Sequence, residues 1–287
     1  MDKPLVVGVD GSDPSLRALD WAVDEAAARG VPLRVVHASR WEWYEGHEPS
    51  FGINRTSVQV LSDHIAATAV ERALRRAASL KVTSDVLSED PAAALVRLSS
   101  EAGAIVVGNR GRGEIAELLL GSVGLSVAAH ATSPVIVVRG GERNLSRGFG
   151  SVAVGLDEPR EADAAMEFAL REAETHKAAV SVIHAWRCPA REAPDFPART
   201  SDEHQRRGEE QVEEALRGTA ASHPGIGIRR QIVEGHARDA LLDAARTADL
   251  LVVGARRRKG HLGLQLGPVN HAVLHHAACP VAVVPHG

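Results

Sequence analysis

Short apolar runs alternate with longer amphipathic segments along the whole chain. The run PLVVGVD at residues 4–10 is almost continuously apolar, as expected for a strand covered on both faces of a sheet. Asp13 and Pro14 follow it and predict a helix N-cap and a first-turn proline, with the helix running to about Arg29. The next apolar run, PLRVVHA at residues 32–38, predicts a second strand.

The same alternation continues to about residue 138. An irregular excursion over residues 39–56 precedes a predicted helix at about 57–79 and a strand near 81–88. Asp90 with Pro91 predicts the start of another helix, AIVVG a fourth strand, Gly121 the start of a fourth helix, and PVIVV a fifth strand. Strands separated by helices of this length indicate a parallel sheet with right-handed crossovers.

The second half of the chain repeats the first. VVGVD, which ends at Asp10, returns as AVGLD, which ends at Asp157, 147 residues later. IVVG, which ends at Gly108, returns as LVVG, which ends at Gly254, 146 residues later. A register held over the full half-chain indicates duplication of one domain.

The expected architecture is therefore two tandem α/β domains. A chain of 287 residues has room for two domains of about 140 residues each. We expect Rossmann-like or flavodoxin-like folds, each a five-stranded parallel sheet with helices on both faces. The glycine-rich segment between the copies predicts a linker. The predicted bounds are residues 1–139 for the first domain, 140–149 for the linker and 150–287 for the second domain.

Composition and charge narrow the class of protein. The chain is 44% hydrophobic and 24% charged, which is typical of a globular protein, and its net charge of −4 gives no general attraction to nucleic acid or anionic membranes. The beginning of the chain lacks a secretory signal pattern, and no apolar run of membrane-spanning length occurs, so we expect a cytoplasmic location. Cys188 and Cys279 are expected to be apolar fillers.

The segment GNRGRGEIAELLLGS at residues 108–122 is the main candidate for chemistry. Glycines permit positive φ and let backbone amides approach a phosphate closely. Gly121 and Ser122 open a predicted helix whose first amides favour an anion, and Ser122 adds a hydroxyl donor or acts as the N-cap. Arg110 and Arg112 add positive charge nearby. The alternative is an ordinary loop of tight turns and helix caps.

Other glycine-rich phosphate motifs do not describe this segment. It lacks the GxxxxGK[ST] pattern of a Walker loop, and it does not match the GxGxxG fingerprint that follows a first strand. In an open parallel sheet, ligands bind at the carboxyl ends of the strands where the strand order reverses. If the first and fourth strands are neighbours, Asp10 and the loop from Gly108 line one crevice. A carboxylate there suits ribose hydroxyls or a bridging metal.

At these positions the sequence resembles the universal stress protein family, whose ATP-binding members carry G-x2-G-x9-G-[ST] after the fourth strand. The resemblance covers nearly the whole chain as a tandem pair and implies an adenine nucleotide alpha hydrolase-like fold that binds ATP with Mg²⁺. It implies adenine near Asp10 and the backbone of Ala38, ribose near Asp10, and phosphates on the glycine segment. The implied ATP-binding residues are Gly8, Asp10, Ala38, Gly108, Asn109, Arg110, Gly111, Gly121, Ser122 and Val123.

The second copy departs from this pattern at the phosphate end. Arg257 stands in place of the second glycine, and Pro268 replaces the hydroxyl residue and removes an amide donor. The equivalent positions that are retained are Asp157, Ala185, Gly254 and Gly267. We therefore expect a weaker or lost second nucleotide site.

Other candidate features favour simpler interpretations. The basic run at residues 256–259 has no interleaved aromatic residues and is expected to be a solvated loop. No HExxH or CxxC spacing is present, so no metal site built from protein ligands is expected. His37 and His184 end equivalent strands, which indicates a shared packing or hydrogen-bonding role. Trp41, Trp43 and Tyr44 predict a lid or an interface patch.

Three functions remain open at this point. Since neither copy carries GxSxG or another nucleophile signature, a binding protein is favoured over an efficient enzyme. The first hypothesis is an ATP-responsive stress regulator with an unidentified protein partner. The second is a nucleotide-dependent enzyme, such as a slow ATPase or an adenylyl or phosphoryl transferase, and the third is an interaction protein that binds no nucleotide. The family resemblance implies that the two domains form an intramolecular pseudo-dimer through their last strands, which would cover an exposed sheet edge, and whether two chains form a homodimer is left open.

Overall fold

A computed structural model describes residues 3–39, 55–111, 120–157, 163–187, 201–219, 222–256 and 266–286. The chain forms two compact units that divide between Arg139 and Gly140. No helix within the described ranges is both long and apolar enough to cross a membrane.

The first unit contains a parallel five-stranded sheet and four helices within these ranges. The strands are β1 (Leu5–Gly8), β2 (Leu33–Ala38), β3 (Val82–Leu87), β4 (Ala104–Gly108) and β5 (Val135–Val138). The helices are α1 (Asp13–Arg29), α2 (Arg55–Arg76), α3 (Pro91–Leu98) and α4 (Ser122–His130). The strand order is β3-β2-β1-β4-β5. The chain direction across the sheet reverses between β1 and β4, so the predicted neighbours that create the crevice are confirmed.

Both faces of this sheet are covered. Leu5, Val6 and Val7 are all buried, although successive strand residues point to opposite faces. Helix α1 packs against α2, and α3 packs against α4, which supplies the two layers. Arg72 and Asp20 join α2 to α1 through two parallel hydrogen bonds of 2.7 Å.

The start of α1 differs in detail from the sequence prediction. The N-cap is Ser12, whose hydroxyl accepts from the Ser15 amide at 3.4 Å, whereas Asp13 is the first helical residue. The prediction of Asp13 as the cap was therefore wrong by one position. The predicted start of α3 is confirmed, because the Asp90 carboxylate accepts from the Ala93 amide at 3.0 Å.

The second unit repeats the same order of elements after a short extra helix, α5 (Glu142–Leu145). Its strands are β6 (Ser151–Leu156), β7 (Ala179–Trp186), β8 (Ile228–Glu234), β9 (Leu250–Arg256) and β10 (Val281–His286). Its longer helices are α6 (Asp163–His176), α7 (Ser201–Thr219), α8 (Ala237–Ala245) and α9 (Pro268–His276). The parallel order β8-β7-β6-β9-β10 matches that of the first unit. The predicted tandem α/β fold is confirmed.

The glycine-rich segment at residues 140–149 packs onto the second unit. The buried side chain of Asn144 donates to the Ala248 carbonyl at 2.7 Å. The buried carboxylate of Asp249 accepts from the amides of Phe149 and Ser151 at 2.9 and 3.0 Å. Side-chain hydrogen bonds therefore hold this segment to its neighbours. The exact bounds of the two domains and the linker stay a prediction.

Several sequence predictions fall outside the described residues. They concern Trp41, Trp43, Tyr44, Arg112, Cys188, Arg257 and the rest of the basic run after Arg256. Cys279 is fully buried, which agrees with its predicted role as an apolar filler. Pairing of the domains through their last strands and pairing of two chains stay predictions.

Candidate functional site

A cavity of about 630 Å³ opens at the carboxyl ends of β1 and β4 in the first unit. Its apolar wall includes Val36, Leu95 and Val107, and its polar groups include Asp10 and Arg110. The N-terminus of α4 forms another side of the cavity. The location is the switch point where open α/β sheets bind their ligands.

Nine of the ten predicted first-site residues line this cavity, namely Gly8, Asp10, Ala38, Gly108, Arg110, Gly111, Gly121, Ser122 and Val123. Asn109 is not among the lining residues. Its amide donates to the Val138 carbonyl at 3.1 Å, and its carbonyl accepts from the Gly121 amide at 2.9 Å. The backbone of Asn109 therefore links the end of β4 to β5 and to the start of α4.

Asp10 is fixed by the turn that follows β1. Its Oδ1 accepts from the Ser12 amide at 3.0 Å and from the Ser12 hydroxyl at 2.6 Å. Gly11 between them has φ of 81°, a conformation that favours glycine. The Asp10 amide donates to the Ser15 hydroxyl at 3.3 Å. The carboxylate is thus oriented at the cavity wall, and Ser12 and Ser15 are supporting residues that the sequence reasoning missed.

Gly108 and Gly111 of the predicted motif serve close approach and not positive φ. None of Gly108, Gly111 and Gly121 is among the described glycines with positive φ, so this part of the prediction was wrong. A Cβ at residue 108 would lie 2.6 Å from the Pro14 carbonyl oxygen, and one at residue 111 would lie 2.4 Å from Asp10 Oδ2. Gly108 therefore lets the end of β4 pack against the start of α1, and Gly111 lets the loop pack against Asp10.

The N-terminus of α4 presents backbone amides to the cavity. Gly121 is the N-cap, with φ of −65° and no capping side chain, and Ser122 is the first helical residue. Ser122 is therefore not the N-cap. The first amides of a helix have no intrahelical acceptor, and the helix dipole makes that end favourable for an anion. A Cβ at residue 121 would be 3.5 Å from its nearest neighbour, the Arg110 Cα, which is an ordinary contact.

His37 and His184 have the shared structural role that their positions predicted. The buried His37 ring bonds through Nδ1 to the Val9 carbonyl at 2.8 Å, and His184 bonds to the Leu156 carbonyl at 3.2 Å. Because a carbonyl only accepts, each ring donates from Nδ1. These bonds connect the first and second strands of each unit beside its cavity.

A second cavity, of about 440 Å³, lies at the equivalent place in the second unit. All four predicted second-site residues line it: Asp157, Ala185, Gly254 and Gly267. Gly267 is the N-cap of α9, and Pro268 is its first residue, as the sequence predicted. Because proline has no amide hydrogen, α9 presents one donor fewer than α4 at this end.

Asn270 is the main difference that sequence reasoning missed. It occupies the position of Gly124 in the first unit, and both residues line their cavities. Its Nδ2 donates to the Gly254 carbonyl at 2.9 Å. The offset of 146 residues identifies this replacement in the sequence, whereas the contact with Gly254 depends on the direction of the side chain.

His286 also distinguishes the second cavity. Strands β9 and β10 are longer than β4 and β5, the equivalent strands of the first unit. Their pairing therefore extends to Pro285 with Ala255 and His286 with Arg256. A Cβ at residue 254 would lie 3.1 Å from the His286 ring. Burial, followed by the positive charge of Arg256, lowers the pKa of His286 below its usual value. The neutral ring is therefore favoured beside Gly254.

Relatives of known sequence match the whole chain. A universal stress protein of Mycobacterium tuberculosis is 32% identical over 296 residues, which cover 99% of each chain. A universal stress protein of Mycolicibacterium smegmatis is 29% identical over 290 residues, which cover 98% of this chain and 96% of the relative.

A solved structure shares the fold over the same extent. The crystal structure of a universal stress protein from Archaeoglobus fulgidus has a TM-score of 0.72 and 19% identity, and covers 99% of this chain and 98% of that one. The sequence model of the universal stress protein family matches residues 1–139 and 148–285. The chain therefore belongs to the universal stress protein family, as a tandem two-domain member.

Proposed function

We propose that the protein binds ATP in the first cavity and acts as a nucleotide-responsive regulatory module, and not as an enzyme of efficient turnover. The observation that carries the proposal is the N-terminus of α4, whose N-cap Gly121 has no capping side chain and which lines a cavity of about 630 Å³ together with Arg110. This volume is within the range of small-molecule sites, about 300–1,000 Å³.

The phosphates would lie against the amides of Ser122, Val123 and Gly124. Helix N-termini are anion sites because their first amides lack intrahelical partners and the dipole favours negative charge. Arg110 lines the same end of the cavity and adds a positive charge. The close packing of Gly108 and Gly111 against neighbouring groups fixes residues 108–111 beside Gly121, the N-cap of α4.

The nucleoside would occupy the part of the cavity near β1 and β2. Val36 and Leu95 offer apolar contact there, and the Ala38 side chain leaves room for a flat base. Asp10, held by Ser12, offers a carboxylate oxygen to ribose hydroxyls or to Mg²⁺. Bound Mg²⁺ would neutralise phosphate charge, and Asp10 is the residue that fits as its ligand.

The polar groups of the cavity suit binding better than catalysis. Asp10 is the only carboxylate among the described residues that line it, and its Oδ1 already accepts two hydrogen bonds from Ser12. A general base must reach the attacking nucleophile in a defined geometry. Occupancy at the start of α4 would instead act through that helix on β5, against which it packs.

Isothermal titration of nucleotide-free protein with ATP and Mg²⁺ tests the proposal. We expect about one ATP per chain and a loss of affinity in Gly121→Ala of roughly ten- to a hundredfold, or about 1.4–2.8 kcal/mol. The protein itself accepts this Cβ at ordinary contact distance, so the added methyl would interfere with the phosphate and not with folding.

Gly267→Ala is the matched control, because Gly267 is the equivalent N-cap and a Cβ there meets nothing within 4 Å. We expect it to leave ATP binding unchanged. Absence of ATP binding in the wild type, or equal affinities in wild type and Gly121→Ala, would contradict the proposed site.

A further inference from the structure

The two cavities are lined by equivalent positions, but one end of the lining is retained more fully than the other. Near the first two strands of each unit, the glycine, the acidic residue, the small residue and the leucine are the same. In the second cavity these are Gly155, Asp157, Ala185 and Leu241, and in the first cavity they are Gly8, Asp10, Ala38 and Leu95. The second cavity therefore keeps the groups that would contact a nucleoside.

The opposite end of the second cavity has lost two of its features for an anion. Pro268 removes the first amide donor of α9. Asn270 puts a side chain where Gly124 has none, and its donating nitrogen is used by the Gly254 carbonyl at 2.9 Å. The remaining carboxamide oxygen is an acceptor, which gives a phosphate oxygen no hydrogen bond. Both changes lie at the start of α9, which is equivalent to the part of α4 that would bind phosphate.

The second cavity is also smaller than the first. The second cavity has about 440 Å³, compared with about 630 Å³ for the first. The His286 ring packs beside Gly254 at the same strand end, and its pKa is lowered, so it adds bulk there without a fixed positive charge. Arg256 occupies the position of Arg110 and lines the cavity in the same way. This arginine is therefore common to both cavities and does not distinguish them.

We propose that the second cavity binds a nucleoside without a phosphate chain, because Pro268 and Asn270 close the anion end while the nucleoside end is retained. The inference rests on the proposed function, which assigns the ends of the first cavity to nucleoside and phosphate. One chain would then bind a triphosphate in its first unit and an unphosphorylated nucleoside in its second unit.

Titration of the full chain with adenosine in the presence of saturating ATP and Mg²⁺ tests this inference. ATP fills the first cavity, so the heat of adenosine binding reports on the second. We expect about one adenosine per chain, and at least a tenfold loss of affinity in Ala185→Leu, which fills the retained nucleoside end. Ala38→Leu makes the matching change in the first cavity and should leave this adenosine site unchanged while it weakens ATP binding.

A gain of function provides the converse test. The double variant Pro268→Ser with Asn270→Gly gives the start of α9 the residues that α4 has at these two positions, and we expect it to bind a second ATP, with circular dichroism used to check its folding. Adenosine that does not bind in the presence of ATP, or a wild type that binds two ATP per chain, would overturn the inference. If ATP binds nowhere but adenosine still binds and is lost in Ala185→Leu, the proposed ATP site fails and the second site stands.

Discussion

Substitution of Gly108 by alanine separates a packing role of this glycine from a role in ligand contact. A Cβ at residue 108 would lie 2.6 Å from the Pro14 carbonyl oxygen and 2.7 Å from its carbon. Both are backbone atoms at the start of α1, so no change of side-chain rotamer relieves the contact. Overpacking of this kind costs typically about 1–3 kcal/mol, and we expect Gly108→Ala to be near the upper end.

Gly254 provides a matched control at the equivalent strand end. The nearest atoms to a Cβ there belong to the His286 side chain, at 3.1 Å, and a ring can move by a few tenths of an ångström. Alanine also lowers the entropy cost of a strand glycine, by roughly 0.5–1 kcal/mol. We therefore expect Gly254→Ala to change the free energy of unfolding by less than about 1 kcal/mol.

Scanning calorimetry of the full chain measures the difference. For a domain of this size about 1 kcal/mol moves the Tm by roughly 2–4 °C, so Gly108→Ala should lower the Tm of the first unit by about 6–12 °C. Equal shifts for the two variants would refute the reasoning from close approach. A Gly108→Ala variant that melts like the wild type yet loses ATP would assign Gly108 to ligand contact instead.

Three further predictions concern residues beside the cavities. Alanine at His37 or at His184 removes a hydrogen bond between neighbouring strands and should lower the free energy of unfolding by about 1–3 kcal/mol in urea denaturation, and unchanged midpoints would contradict this role. The pKa of His286 is lowered by folding, so the folded state binds fewer protons and its stability falls as pH drops below about 6.5. In His286→Phe this part of the pH dependence should disappear from urea midpoints measured between about pH 5 and 7.5. Ser12→Ala removes the α1 cap, at a cost of about 1 kcal/mol, and removes the hydroxyl that donates to Asp10 while the backbone amide of residue 12 still donates, so both thermal stability and ATP affinity should fall; titration that shows unchanged affinity would mean that the Ser12 hydroxyl does not orient the carboxylate.

The fold was predictable because the signals that set it are local and repeated. The apolar strand runs and the Asp90-Pro91 helix start depend on a few adjacent residues, and the constant offset between copies fixed the tandem organisation. The predicted N-cap of α1 was wrong by one residue because Ser12 and Asp13 are both good capping residues. The turn after β1 favours Ser12, whose hydroxyl also donates to Asp10.

The candidate site was predictable in position but not in its physical basis. Periodicity placed Asp10 and the loop from Gly108 at the ends of neighbouring strands, and the family resemblance supplied the other residues of the predicted set. The close approach of Gly108 to Pro14, however, depends on how α1 lies across the end of β4. The contact from Asn270 to Gly254 and the docking of Asn144 on Ala248 are likewise long-range. Such contacts depend on tertiary packing, which a pattern of polar and apolar residues does not specify.

Amide chemical shifts during an ATP titration test the central claim most directly, because they report on the individual amides at the two helix starts. The account predicts that ATP with Mg²⁺ shifts the amides of Ser122, Val123 and Gly124 most strongly, whereas those of Val269 and Asn270 change little. Unchanged amides at the start of α4 under ATP saturation, or equal changes at both helix starts, would contradict a single phosphate site in the first unit.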